Sequence, residues 1–206
     1  MVAAAALAGG PGMIVSLVPI LFWVAALASA GIDVWQGPRP ILPAAVIDRL
    51  LRYLLLFPIG LQGLWAAFFH IFFPRITADA IGWAPSPFQY EVGVANLGIG
   101  LAGIYAAFKG FEARLAVAIA SGCFLIGDGL GHIRNIIEAG DLAPGNAGPI
   151  MVTDFLTPIA ILALLLFSSE LWRPKSTVTL ALEEELKAAR DAMRIYRKAL
   201  EDLGKN

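Results

Sequence analysis

Charge is scarce in this chain. Only 15% of its 206 residues are acidic or basic, against about a quarter in an ordinary soluble domain. The first charged side chain is Asp33. The net charge of −1 excludes the basic footprint expected of a nucleic-acid partner. A single cysteine, Cys123, sits inside an apolar run, so no disulfide framework forms within one chain. Two histidines are too few for a histidine-rich metal cage.

Apolar sequence takes the place of charge. Hydrophobic residues make up 58% of the chain, with a mean hydropathy of +0.74. A membrane-spanning helix needs about 20 mostly apolar residues. Five stretches meet that need, at about residues 13–32, 53–73, 87–108, 115–133 and 149–172. The expected fold is an all-α membrane protein, a five-span helical bundle over residues 1–174. A cytoplasmic helical tail follows at 175–206. Ala28-Ser29-Ala30 resembles a signal-peptidase site, but no Lys or Arg precedes the apolar stretch. The basic start of a secretory signal is therefore missing, and a retained helix is expected.

Proline marks several boundaries. Pro19 falls inside the first span, where neighbouring helices can satisfy the freed carbonyl. Pro43–Arg52 reads as a short amphipathic piece lying at the surface before the second span. Pro74 ends that span, and Arg173-Pro174 ends the fifth, beside Trp172. Ser86 is placed to cap the third span, with Pro87 in its first turn.

Lys and Arg are divided unequally between the two sets of loops. Arg75 and Arg134 fall in one set; Arg39, Arg49, Arg52, Lys109, Arg114 and the whole tail fall in the other. Cytoplasmic loops carry the excess of basic residues. The N-terminus is thus expected outside and the tail in the cytoplasm of a cell with this protein in its inner (plasma) membrane.

The tail has a different grammar. Leu182, Leu186, Ala189, Met193, Tyr196, Leu200 and Leu203 alternate at spacings of four and three, a heptad seam. Such a seam suits either a coiled coil joining copies into a homo-oligomer or an amphipathic helix on the bilayer surface.

Ionisable residues inside hydrocarbon cost at least ~2.5–3.5 kcal/mol each, so those within the spans require a reason. The uncharged run Leu115–Gly127 is too short to cross a bilayer. The fourth span must therefore carry Asp128 and His132, which share a face at i,i+4. His70, Glu91, His132 and Asp154 each stand about 18 residues from a basic anchor (Arg52, Lys109, Arg114 and Arg173). That is roughly 27 Å along a helix, which puts all four at one level near the outer face. Gln89 and Asn96 add amides close by. Gly127 and Gly131 form a small-xxx-small pair suited to close helix approach, and Gly93, Gly98, Gly100 and Gly103 suit packing in the third span. Trp65, Trp83 and Trp172 read as anchors at the membrane interface.

Two segments carry a resemblance. Ser86-Pro87-Phe88-Gln89-Tyr90-Glu91-Val92-Gly93-Val94-Ala95-Asn96 and Gly127-Asp128-Gly129-Leu130-Gly131-His132 resemble the motifs of a family of small polytopic bacterial and archaeal membrane proteins. That family is known only as a domain of unknown function. The likeness runs from Phe69 to about Asp154 and leaves out the tail. It implies that Gln89, Glu91, Asn96, Asp128 and His132 belong to a shared signature, and it brings no activity with it.

Three functions compete. In the first, Glu91, Asp128 and His132 supply acid–base groups, with His70, Gln89, Asn96 and Asp154 binding a small lipophilic molecule, as in membrane isomerases acting on lipids. Variants of this reading place Zn²⁺ or Fe²⁺ among His70, Glu91, Asp128 and His132, or haem between the two histidines; the cofactor is left open. In the second, the buried acids and histidines serve proton-coupled transport. In the third, the protein is a structural or accessory subunit that oligomerises through its tail.

Overall fold

The computed structural model describes residues 11–168 and 177–203, and among these every regular element is a helix. The chain divides into two units, Met1–Leu171 and Trp172–Asn206.

In the first unit, α1 runs Pro11–Gln36, with Pro19 inside it. The next helix, α2, is continuous over Pro43–Phe72. Here the sequence reading needs correction, because Pro43–Arg52 is not a separate surface piece. It forms the opening turns of α2, which pass into a π-helical segment at Leu55–Leu61 and return to α-helix at Gln62. Pro58 sits within the π segment. A proline lacks an N–H and collides with the carbonyl one turn back; the wider π turn takes up that misfit without breaking the helix.

Pro74 does end α2, and it also begins a short helix the sequence reading lacked, α3 at Pro74–Ile81. Gly82 closes α3 in the left-handed region, at φ 89°. Helix α4 covers Phe88–Ala107; its N-cap is Pro87, without a side-chain cap. Ser86 therefore does not cap it through its hydroxyl. Instead its carbonyl accepts a bond from the Gln89 N–H. Helix α5 is a single 29-residue helix, Phe111–Ala139, and carries Asp128 and His132 within it. A short turn of helix, α6 (Pro144–Ala147), leads into α7 (Pro149–Phe167). Trp172 and Arg173-Pro174, the expected end of the fifth span, lie outside the described residues.

Among the described residues, four helical stretches are long and apolar enough to cross a membrane: Ser16–Gln36, Pro43–Phe72, Phe111–Ala139 and Pro144–Phe167. The 20 residues of α4 include Gln89, Glu91 and Asn96, which dilute its apolar character.

Glycine sets the contact between α2 and α4. A Cβ on Gly100 would lie 2.9 Å from both Gly60 O and Leu64 N, and one on Gly63 would lie 3.0 Å from Gly100 Cα. Helices α2 and α4 thus touch backbone to backbone, as small residues permit in membranes. Gly98 meets nothing within 4 Å and takes no part. The Gly127–Gly131 pair also differs from expectation, since neither has a neighbour within 4 Å. On α5 it is Gly122 and Gly129 that face α7, against Pro158 and Phe155.

The buried apolar core, including Leu51, Leu54, Leu55, Ile59, Ala106, Ala118, Ile161 and Leu165, joins α2, α4, α5 and α7. At the end of the bundle where α1 meets α2 and α4 meets α5, charges pair with one another. Asp33 accepts from Arg49 Nε at 3.1 Å and from the Tyr53 hydroxyl at 3.1 Å, and Asp48 accepts from Arg114 at 2.7 Å. Arg114 is only 7% exposed.

The second unit contains α8, Thr177–Leu203. Of the seam residues, Leu186, Met193, Tyr196 and Leu200 are exposed within it.

Candidate functional site

At the opposite end from Arg49, Arg52 and Arg114, α3 and α6 contact each other and α1. Beneath these connectors lies a cavity of about 180 Å³. Glycines let the connectors close over it. Gly145 of α6 is so near α3 that a Cβ there would lie 2.5 Å from Ala80 O, and a Cβ on Gly82 would strike the Asp141 carboxylate. Pro58, Ile59, Trp65, Phe69, Ile99 and Leu125 give the cavity apolar walls.

The polar groups gather on α2, α4, α5 and α7. His70, Asn96, Asp128, His132 and Asp154, all singled out from the sequence, line this one cavity. Gln89 stands behind His70, 1% exposed, with its Oε1 2.7 Å from His70 Nδ1. Asn96 donates to Val92 O within its own helix.

Glu91 does not join them. It is exposed and lies outside the cavity lining. Helix geometry explains why: Gln89 is turned inward, and a residue two positions on is rotated by roughly 200°. The four-residue metal set of His70, Glu91, Asp128 and His132 is therefore not assembled. Among the described residues no group of three or more His, Cys, Asp and Glu side chains is disposed to hold a metal ion.

His132 is held more firmly than its sequence position indicates. Asn146, 0% exposed, donates its amide to Asp141 O at 2.8 Å and to His132 O at 3.4 Å. With its N–H groups so engaged, Asn146 turns Oδ1 to His132 Nδ1 at 2.7 Å. An amide oxygen only accepts, so the proton of a neutral His132 sits on Nδ1. Nε2 then presents a lone pair, and 3.6 Å from it stands Asp154 Oδ2. Asp154 is 3% exposed, and Oδ2 has no hydrogen-bond partner. With Asp154 ionised, these two acceptors lie within reach of a single donor group beside them.

A model of a family of unknown function, DUF6790, matches residues 16–174. The chain belongs to this family. The match spans α1 to α7 and therefore every residue of the cavity; α8 begins beyond it. No curated protein and no solved structure matches the chain.

Several residues in or beside the cavity were missed in the sequence or misread there. Asn146 lies in a Pro/Gly-rich link that reads as a loop. Gln62 is a single amide in an apolar span. Trp83 reads as an interface anchor, yet it lines the cavity, as does Trp65, and its ring centroid is 6.5 Å from that of His132. Gln62 Oε1 and Trp83 Nε1, like Asp154 Oδ2, are buried without a hydrogen-bond partner. An amide inside an apolar span is the one signal that could have pointed to Gln62.

Proposed function

We propose that the chain is a five-span integral membrane protein whose cavity binds a small lipophilic ligand and can exchange a proton with it through His132 and Asp154. The observation that carries this reading is the trio of Asp154 Oδ2, Gln62 Oε1 and Trp83 Nε1. All three are buried, without hydrogen-bond partners, and borne by residues lining one cavity. Leaving such atoms unpaired costs about 1–3 kcal/mol each, a cost that a ligand with matching polar groups offsets. Asp128 and His70 are further members of this site, and Gln89 and Asn146 position the two imidazoles.

The five-span reading draws support from α4. It lies antiparallel to α2, with Gly93 against Ile71 at one end and Gly103 against Ile59 at the other, and its 20 residues reach about 30 Å. The arginines at 49, 52 and 114 favour the cytoplasmic side for their end of the bundle, which leaves the cavity in the outer leaflet of the plasma membrane. Between the two ends lies the apolar layer of Leu55, Ile59, Ala118 and Ile161. That layer favours binding over proton conduction, which needs a continuous polar path. The exposed seam of α8 favours association of copies through the tail.

Photolabelling tests the binding reading. A small lipophilic diazirine is added to membranes holding the full chain, and labelled peptides are mapped by mass spectrometry. Labelling is expected at cavity residues of α2 and α5 and is expected to vanish in Gly131→Leu, which fills open space beside His132. Labelling confined to lipid-facing residues, and indifferent to Gly131→Leu, would sink the reading.

A further inference from the structure

The acidic and basic side chains that line the cavity are unevenly divided. Its lining includes two carboxylates, Asp128 and Asp154, and no Lys or Arg among the described residues. The neighbouring arginines at 75 and 134 are exposed, and Arg134 is paired with Glu138 at 2.9 Å. A phosphate or carboxylate headgroup would meet no countercharge here, and burying an unpaired charge is costly.

The unpartnered atoms point the same way. Asp154 Oδ2 and Gln62 Oε1 are acceptors, and so is His132 Nε2 in the tautomer fixed by Asn146. His132 Nε2 and Asp154 Oδ2 are 3.6 Å apart, and both would be satisfied by one group bearing several N–H donors. The lining adds the aromatic rings of Trp65, Phe69 and Trp83, and the faces of such rings attract cations. Of the unpartnered atoms on residues lining the cavity, Trp83 Nε1 is the donor, and it calls for an oxygen acceptor elsewhere on the ligand.

We propose that the cavity selects lipophilic amines, bound as ammonium ions against Asp154 and Asp128, with a hydroxyl or carbonyl oxygen reaching Trp83. This rests on the ligand-binding reading above and narrows it to a class. Neutral alcohols are weaker ligands of the same space, and anions are rejected.

Three probes of one shape separate the two levels of the claim. A cavity of about 180 Å³ exceeds the ~150 Å³ that holds one benzene ring, so benzylamine, benzyl alcohol and benzoate all suit it in size. Each is radiolabelled and dialysed to equilibrium against the full-length protein in zwitterionic nanodiscs, with empty nanodiscs subtracted. Benzylamine is expected to bind at least about tenfold more tightly than benzyl alcohol, a margin in keeping with charge-assisted hydrogen bonds. Benzoate is expected not to bind above background. Asp154→Asn should erase the preference for the amine. Asp128→Asn provides the same reading if the first variant does not fold. Should benzyl alcohol or benzoate bind as well as the amine, the amine inference is overturned and the ligand-binding reading stands. Should neither substitution alter the preference, the assignment to these carboxylates is overturned. Should no probe exceed the empty nanodiscs, both readings fail together.

Discussion

His132 and Asn146 fix each other across the turn between α5 and α7. The Asn146 amide reaches back to the His132 carbonyl within α5 and to the Asp141 carbonyl just after it, while its oxygen accepts from His132 Nδ1 at 2.7 Å. Removing this amide leaves one imidazole donor and two carbonyls short of a partner. Asn146→Ala is expected to lower stability by about 1–3 kcal/mol, read as a shift of the thermal unfolding transition in detergent. A shift too small to measure would mean that the turn does not depend on the amide.

Two glycines on α4 provide a matched comparison. A Cβ on Gly100 presses on the backbone of Gly60 and Leu64, and one on Gly98 meets nothing within 4 Å. Gly100→Ala should cost about 1–3 kcal/mol through overpacking. Gly98→Ala should be neutral or slightly stabilising, because alanine is the better helix former. Equal melting temperatures for the two variants would contradict the α2–α4 contact.

The ion pair of Arg114 and Asp48 joins α5 to α2. Arg114 is almost wholly buried, while the Asp48 side chain is 41% exposed. Asp48→Ala strands a buried guanidinium and should destabilise the protein by about 1–3 kcal/mol. Arg114→Met, which removes the charge and keeps the volume, should be the milder change. A double-mutant cycle tests this directly, and a coupling energy of zero would deny the pair any role.

Sidedness can be read with a membrane-impermeant thiol reagent. Once Cys123→Ser has removed the native thiol, single cysteines replace the exposed Asp79, Glu138 and Glu112 in turn. The expected result in intact cells is labelling at 79 and 138 and none at 112 until the membrane is opened. Labelling at 112 alone would invert the orientation, and a mixed pattern at 79 and 138 would break the five-span arrangement.

Much of the site could be read in the sequence because it depends on helix periodicity. Asp128 and His132 share a face at any helix register, and the too-short apolar run forced both into α5. The level shared by His70, His132 and Asp154 follows from counting along helices of uniform rise. Glu91 shows the limit of such counting. Rise gives depth, but facing depends on which residues the neighbouring helix accepts, and α2 accepts Gln89 and Gly93. Gly127 and Gly131 failed in the same way: the pattern identifies small residues without saying whether a helix or a cavity lies opposite. Asn146 and Trp83 depend on long-range closure of the connectors α3 and α6, which leaves no periodic trace.

The π segment around Pro58 has a further consequence, one of phase. A π turn takes in more residues than an α turn, so each added residue shifts the angular position of everything downstream by roughly 100°. Gln62, Trp65, Phe69 and His70 all follow that segment, and all reach the cavity. Excising one residue between Leu55 and Leu61 would let α2 relax to a regular α-helix of the same apolar character, still able to span the bilayer. It would also swing the α2 share of the cavity wall out toward lipid. The wide turn thus acts as a keyway, setting the angle at which one half of the helix meets its partners independently of the other half.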